Sequence, residues 1–258
     1  MRRVFTSTGL GRGRANQDSA GEGLSRIAAS SSDDNTTTRF PEPSALRTHT
    51  VLTPDAPDRN TLRQSMRARR RLVGAVDRRN AAESFARIAS RALLLRPGKR
   101  IAVYQSVGHE ADASALIRLA RRRGCKLYLP RVTDRRRGRM QFVGFDADSP
   151  MRRGVFGILE PVDARTAVRV ADLDIVFMPL VAFDASGWRL GSGAGFYDRK
   201  LQHLRSDRRW RRPRLIGIAY DFQRVPRLVP HRWDIPLDAV ITERGLRFSH
   251  RPPEGEGA

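Results

Sequence analysis

Cysteine is nearly absent from the 258-residue sequence, in which Cys125 is the only one. A single cysteine cannot form an internal disulfide, and this fits a protein of a reducing compartment. Long apolar runs are also missing, since no stretch reaches the length needed to span a bilayer. We therefore expect a cytoplasmic protein that does not contact membranes, in which Cys125 has a structural role.

Lysine is scarce although the chain is strongly basic. Only three of the 49 basic residues are lysines (Lys99, Lys126 and Lys200), and the formal net charge is +22. Basic surfaces bind phosphate backbones non-specifically. The arginines, however, are scattered through helical segments, are not interleaved with aromatic residues and accompany no RNA-recognition motif. We expect a solvated basic surface and no specific nucleic-acid partner.

The first 57 residues differ in composition from the rest. They are rich in Ser, Thr, Gly, Arg and Asp, have no sustained hydrophobic period, and lack the apolar core of a secretory signal. Such a segment cannot bury enough apolar surface to offset the entropy lost on ordering. Residues 1–57 are expected to be a disordered low-complexity tail or the product of a start codon assigned too far upstream. Acidic residues within them argue against an organelle-targeting peptide.

Periodic segments begin near residue 60 and alternate between helix and strand. Helices are predicted at 61–72, 76–95 (ended by Pro97 and Gly98), 113–123 and 197–204, and strands at 100–105, 126–130, 140–145, 174–179, 214–220 and 238–243. Strand, helix and strand with short connections indicate a parallel βαβ unit. The sequence thus predicts one three-layer α/β domain over 58–245, with helices flanking a mostly parallel open sheet. A flexible C-terminal tail is predicted over 246–258.

The segment from Ala182 to Arg199, AFDASGWRLGSGAGFYDR, has three alternate glycines between an apolar strand and a predicted helix. Glycine lets backbone N–H groups approach a ligand closely, and a helix start adds unpaired N–H groups. Arg189 can add a forked donor, and Asp198 offers an oxygen ligand for Mg²⁺. The pattern favours a phosphate-binding loop. A tight glycine-rich turn is the alternative, because the segment matches no standard dinucleotide or P-loop fingerprint.

Seven pieces of the chain, in order, resemble the 5-formyltetrahydrofolate cyclo-ligase (5,10-methenyltetrahydrofolate synthetase) family. The resemblance runs from about Arg63 to Glu243. The pieces are Arg63-Gln-Ser-Met-Arg67, Tyr104-Gln-Ser-Val-Gly-His-Glu110-Ala-Asp112, Leu129-Pro-Arg131, Phe156-Gly-Ile-Leu-Glu-Pro161, Leu173-Asp-Ile-Val-Phe-Met-Pro179, the Arg189 to Arg199 loop, and Trp233-Asp234 through Thr242-Glu243.

The resemblance implies an ATP-dependent ligase that forms a cyclic C–N bond. In this family ATP phosphorylates the formyl oxygen of 5-formyltetrahydrofolate, giving an imidoyl phosphate. N10 then attacks the activated carbon, and 5,10-methenyltetrahydrofolate, ADP and phosphate are released. The implied cofactors are ATP and Mg²⁺, the implied partner is a small folate that could carry a polyglutamate tail, and a monomer is expected.

The resemblance also implies site residues, carried over position by position. The ATP site would comprise Arg63, Arg67, Arg189, Leu190, Gly191, Ser192, Gly193, Ala194, Gly195, Phe196 and Tyr197, with Arg189 near the transferring phosphate as the catalytic residue. The folate would contact Gln105, Glu110 and the loop residues Ser192, Gly193, Ala194, Gly195 and Phe196. The Mg²⁺ ligands would be Asp198 and Asp234.

Other interpretations of these residues stay open. Glu110 could cap the next helix, and Asp234 could cap a turn before Pro236. Ser192, Ala194 and Phe196 depart from the usual family loop, and Arg63 replaces a lysine, so the chain could be a weakened relative that binds RNA or folate. A sugar-phosphate or acyl-transfer enzyme on the same sheet is a further alternative, although no nucleophile lies near the loop.

Overall fold

The computed structural model describes residues 58–204 and 213–250, so the predicted tail over 1–57 and the terminus over 251–258 lie outside the described residues. The helices there are α1 (Arg59–Arg71), α2 (Ala75–Arg91), α3 (Ser114–Arg122) and α4 (Phe196–Leu201). The strands are β1 (Arg100–Ala102), β2 (Lys126–Asp134), β3 (Arg139–Phe145), β4 (Met151–Arg153), β5 (Leu159–Pro161), β6 (Ala167–Val168), β7 (Ile175–Pro179), β8 (Ala182–Phe183), β9 (Arg189–Leu190), β10 (Arg214–Ile218), β11 (Ala239–Thr242) and β12 (Gly245–Phe248). Among the described residues, no helix is long and apolar enough to cross a membrane.

Eight strands form one sheet in the order β12-β11-β10-β7-β1-β2-β3-β6. The five strands from β11 to β2 are parallel, and antiparallel strands complete both edges. The predicted βαβ unit is confirmed as β1, α3 and β2. After β1 the chain fills the β2 side of the sheet and later returns to β7 on the other side. Ligands of such sheets bind at this reversal, beyond the carboxyl ends of the strands.

Helices cover both faces of the sheet, which confirms the predicted three layers. Phe85 of α2 and Leu116 of α3 pack on one face with Ile101 and Phe177. Leu201 of α4 packs on the other face with Val176 and Met178 of β7. Neighbouring β7 residues therefore point to opposite faces and both are buried, which explains why this strand is a continuous apolar run.

The predicted end of the second helix was wrong. Helix α2 stops at Arg91 rather than continuing to residue 95, because Leu93 adopts a left-handed conformation with φ of +55°. The amide of Leu94 donates to the carbonyl of Ala89, and that of Leu93 donates to Ser90, which is the Schellman arrangement that ends helices. The prediction relied on Pro97 and Gly98, and it could not anticipate a leucine in a conformation that glycine usually adopts.

The end of the domain and the segment before the glycine-rich loop each contain strands that were not predicted. The chain from Gly245 was expected to be a frayed tail, but β12 pairs antiparallel with β11, so residues 246–248 belong to the sheet. The strand predicted at 174–179 is confirmed as β7. The β-hairpin of β8 and β9, which was not predicted, lies between β7 and the glycine-rich loop. Its turn is shaped by Asp184, whose side chain accepts from the amide of Trp188, and by Gly187 at φ of +87°.

Candidate active site

A cavity of about 420 Å³ opens at the carboxyl ends of the central strands. Its walls come from the segment after β1, the middle of β2, the end of β7, the turn before β5 and the glycine-rich loop after β9. It therefore lies at the reversal of the strand order. Ten of the predicted site residues line it: Gln105, Glu110, Arg189, Gly191, Ser192, Ala194, Gly195, Phe196, Tyr197 and Asp198.

The glycine-rich loop needs glycine at two of its three alternate positions. Gly193 has φ of +112° and Gly195 has φ of +65°, conformations that residues with a Cβ rarely adopt. Ala194 and Ser192 are not among the described residues with positive φ, so these departures from the usual family loop cause no backbone strain. Helix α4 after the loop is only six residues long. The loop amides, rather than a long helix dipole, therefore offer donors to an anion.

Two arginines of α1 contact this loop. Arg63 donates from Nε to the carbonyl of Gly191 at 3.0 Å, and Arg67 donates from Nη2 to the carbonyl of Ser192 at 3.0 Å. Neither arginine lines the cavity itself. Partial burial, followed by the nearby positive charges of Arg59 and Arg67, lowers the pKa of Arg63. An anion bound at the loop would relieve this repulsion between like charges.

Arg189 is buried, with 4% of its side chain exposed, and donates from Nη2 to Asp198 Oδ1 at 2.7 Å. Its Nη1 donates to the carbonyl of Ile235, while the amide of Ile235 donates to Asp198 Oδ1 at 3.3 Å. The backbone of one residue, Ile235, thus holds both side chains. Asp198 Oδ2 has no hydrogen-bond partner within the described residues, so one carboxylate oxygen remains for a cation.

Asp234, the second predicted metal ligand, does not line the cavity. Its Oδ2 accepts from Arg59 Nη1 at 2.9 Å and from the amide of His231 at 2.9 Å, so it also closes a turn, as the alternative interpretation held. In residues 58–204 and 213–250, no group of three or more acidic, histidine or cysteine side chains is suited to holding a metal. A magnesium ion here would rely on phosphate oxygens for its remaining ligands, which is how Mg²⁺ usually binds at nucleotide sites.

Glu110 and Gln105, from the segment after β1, line the same cavity as the loop. Burial raises the pKa of Glu110, while the amide of Val107, which donates to Oε2 at 3.2 Å, and the charges of Arg70 and Arg67 act to lower it. Arg70 is itself buried at 7% exposure, and burial lowers its pKa. A carboxylate near two arginines can accept two adjacent N–H donors of a ligand.

Leu190 was placed at the ATP site by resemblance, but its side chain is fully buried. It packs with Val181 and Leu62 beneath the loop, and its carbonyl accepts from the amide of Val181. Leu190 can therefore support the loop but cannot present its side chain to a ligand. Gly193 also lies outside the cavity lining.

Phe156 and Glu160 are two of the cavity residues to which the sequence assigned no role. Phe156 has φ of +70°, is 53% exposed, and meets Phe196 edge to face with ring centroids 6.0 Å apart. Glu160 is 3% exposed and accepts from the amide of Val132 at 3.1 Å. Both stand in the Phe156 to Pro161 piece of the resemblance. The sequence signal that could have identified Glu160 is a single glutamate between the apolar residues Leu159 and Pro161 of β5.

A parallel α/β sheet with a cavity at its reversal, lined by a glycine-rich loop, Arg189 and the carboxylates of Glu110 and Asp198, is typical of enzymes that bind small ligands. The model of the 5-formyltetrahydrofolate cyclo-ligase family matches residues 55–243. The chain belongs to this family, a family of ligases.

Relatives and solved structures agree with this assignment. A 5-formyltetrahydrofolate cyclo-ligase of Haemophilus influenzae is 35% identical over 186 residues, which cover 71% of this chain and 96% of the relative. The Escherichia coli K12 enzyme of the same name is 38% identical over 145 residues, covering 55% and 76%. The structure of Aquifex aeolicus 5,10-methenyltetrahydrofolate synthetase superposes with a TM-score of 0.62 at 28% identity, covering 77% of this chain and 96% of that one.

Proposed function

We propose that the chain converts 5-formyltetrahydrofolate to 5,10-methenyltetrahydrofolate with consumption of ATP and release of ADP and phosphate. One observation carries the proposal. The glycine-rich loop with Arg189 and the carboxylate of Glu110 face a single cavity of about 420 Å³, large enough for a bicyclic ring beside a phosphate chain. The reaction needs these two kinds of site side by side.

The ATP phosphates would bind at the glycine-rich loop. Gly191 to Gly195 would supply backbone donors, Arg63 and Arg67 would add positive charge from α1, and Arg189 would lie nearest the phosphoryl group that is transferred. An N-formyl group is a poor electrophile, and its oxygen becomes a good leaving group only once it is phosphorylated. The protein's task is then to position and to neutralise charge, which requires no nucleophilic side chain.

Asp198 would hold Mg²⁺ through its unused carboxylate oxygen, and Asp234 would be the second ligand. The ion would neutralise negative charge on the phosphates when bound. Arg189 would keep its pair with Asp198 Oδ1 while the ion binds Oδ2, which has no hydrogen-bond partner within the described residues. Arg189 would donate to the transferred phosphoryl group through its remaining N–H groups.

The pterin ring of the folate would lie at Glu110 and Gln105, where the carboxylate accepts from adjacent ring N–H groups. The aromatic part of the substrate would pass Phe196 and Phe156 at the mouth of the cavity. Arg135 lies 5.4 Å from the ring centre of Phe156 and Arg199 lies 5.7 Å from that of Phe196. These two guanidinium groups would pair with glutamate carboxylates of the substrate, which supports the binding of a folate whose tail has more than one glutamate.

The test is to mix the purified full chain with 5-formyltetrahydrofolate, ATP and Mg²⁺ and to follow the absorbance of the methenyl chromophore. The signal should rise only when all three components are present, and ADP should form in equal amount. Asp198→Ala serves as a matched variant that should lose the signal. A flat trace from folded wild-type protein would overturn the proposal, and salt-sensitive RNA binding by that protein would favour a binding role.

A further inference from the structure

The cavity holds a buried carboxylate that the proposed contacts with pterin and phosphate do not use. Glu160 of β5 is 3% exposed, less than any other acidic residue of the cavity. Its Oε1 accepts from the amide of Val132 at 3.1 Å. No arginine, lysine or histidine within the described residues forms an ion pair with it, and Oε2 has no hydrogen-bond partner there.

The backbone around Glu160 is shaped to hold its carboxylate in place. A Cβ built on Gly154 would lie 2.2 Å from the carboxyl carbon and 2.3 Å from Oε2 of Glu160. The carboxylate therefore packs directly on the Gly154 backbone. The amide of Gly154 donates to the carbonyl of Ile158, which closes the turn that carries Phe156. Glycine at residue 154 thus leaves room for the carboxylate of Glu160, a residue that lines the cavity.

Oε2 is not among the buried polar atoms that lack a partner, so it stays accessible from the cavity. A carboxylate oxygen with no cation beside it favours a ligand group that brings positive charge. The ligand of this cavity should accordingly be cationic, or become cationic, at the part that lies against β2 and β5. Neither ATP nor the neutral pterin of the substrate meets that requirement.

The proposed reaction creates such a charge. N5 carries no hydrogen, so transfer of the phosphoryl group to the formyl oxygen already leaves an iminium cation at N5 and the formyl carbon. N10 then forms a bond to this carbon, its proton passes to the phosphate, and when the C–O bond breaks its electron pair leaves with the phosphate. The product again carries one delocalised positive charge over N5, the bridging carbon and N10, whereas the substrate is neutral at these atoms.

We propose that the Glu160 carboxylate is the counter-ion of this developing cation. The inference rests on the proposed function and adds a residue that acts on the positive charge at N5 and the formyl carbon. A fixed charge stabilises a transition state when it is already oriented toward the place where the opposite charge develops. Glu160 should therefore bind the methenyl product more strongly than the formyl substrate, and Glu110 should not discriminate between them, because the pterin edge is unchanged.

The experiment measures dissociation constants for added 5,10-methenyltetrahydrofolate and 5-formyltetrahydrofolate by tryptophan fluorescence quenching. Glu160→Gln keeps the shape of the side chain and an acceptor for the Val132 amide but removes the charge. It should weaken product binding about tenfold or more and substrate binding by less than about threefold. Glu110→Gln should weaken both ligands by similar factors, and Glu83→Gln, at an exposed position outside the cavity, should change neither.

Gly154→Ala provides a second variant in case Glu160→Gln does not fold. The residue has φ of −89°, which alanine adopts without strain, and only the end of the Glu160 side chain must move. It should reproduce the selective loss of product affinity. Equal loss of substrate and product affinity in Glu160→Gln, or no loss, would overturn the inference. A wild-type chain that binds the product and never forms it would refute the proposed activity alone, and one that binds neither folate would refute both.

Discussion

Arg189 and Asp198 stand at the two ends of the glycine-rich loop and form an ion pair at 2.7 Å. Each also bonds to the backbone of Ile235, one through the carbonyl and the other through the amide. The loop is thus closed by side chains as well as by its glycines. Because these contacts exist without a ligand, the loop needs little ordering when a phosphate binds, and less binding free energy is lost.

Arg189→Lys should lower kcat by about 100-fold or more while the chain stays folded. A lysine can pair with Asp198, but a single ammonium cannot donate to Ile235, Asp198 and a phosphoryl oxygen in the planar geometry of a guanidinium. The measurement is steady-state formation of the methenyl product. Arg63→Lys is the matched control, because Arg63 contacts the loop only through the carbonyl of Gly191, and it should lose much less activity.

Gly193→Ala should reduce the free energy of unfolding by about 1 to 3 kcal/mol, because alanine at φ of +112° is strained. Gly191→Ala should leave stability nearly unchanged, since a Cβ there has no neighbour within 4 Å. Urea denaturation of both variants provides the comparison. Equal stability of the two variants would show that the backbone of Gly193 relaxes freely and that the loop is not held as described.

Glu110→Gln should change the pH dependence of stability in a definite direction. Burial raises the pKa of the folded carboxyl above its ordinary value of 4.5, so ionisation is disfavoured in the folded protein. The folded state binds more protons in this range, and the contribution of Glu110 to stability falls as pH rises through the raised pKa. The glutamine variant has no ionisable group at this position, so its stability carries no cost of ionisation there.

The difference in free energy of unfolding between Glu110→Gln and wild type should therefore grow in favour of the variant from pH 4 toward neutrality. At the acid end this difference should vanish. Urea denaturation at several pH values measures this difference, in which the titration of most other groups cancels. Affinity for 5-formyltetrahydrofolate should change in the opposite sense. Near neutrality wild type should bind more tightly than Glu110→Gln, because the ionised wild-type carboxylate accepts the pterin N–H groups. A pH-independent difference in stability would contradict this account of Glu110.

Gln223→Leu should destabilise the chain by about 2 kcal/mol or more, since unpaired buried polar groups each cost about 1 to 3 kcal/mol. Gln223 is fully buried, and its Nε2 donates to the carbonyls of Leu180 at 3.0 Å and Val181 at 2.8 Å. Both residues line the cavity. The exposed Gln202→Leu is the control and should stay within about 0.5 kcal/mol of wild type. A small effect at Gln223 would mean that water replaces its amide.

Hydrophobic period and short connections were sufficient to predict the parallel sheet and its covering helices. The buried run of β7 and the helical spacing around Phe85 have one physical interpretation each. The end of α2 was not predictable in the same way. It depends on Leu93 accepting a left-handed conformation because Leu94 and Leu95 are then buried, and this is a tertiary gain that no local pattern records.

The candidate site was predicted mainly where local chemistry and position in the chain coincide. Arg189, the alternate glycines and Asp198 lie within ten residues, so their proximity follows from the sequence. Glu110 could be placed at the cavity only through resemblance, and its role stays a prediction. Glu160 was not singled out, because the burial of its carboxylate against Gly154 depends on how β4 and β5 pair.

The most direct test of the central claim follows the formyl oxygen. 5-Formyltetrahydrofolate labelled with ¹⁸O at the formyl group is converted by the full chain with ATP and Mg²⁺, and the inorganic phosphate is analysed by mass spectrometry. We predict that each methenyl product formed transfers its labelled oxygen to one phosphate. Label recovered in water instead, or methenyl product formed without ATP consumption, would contradict phosphoryl transfer in this cavity.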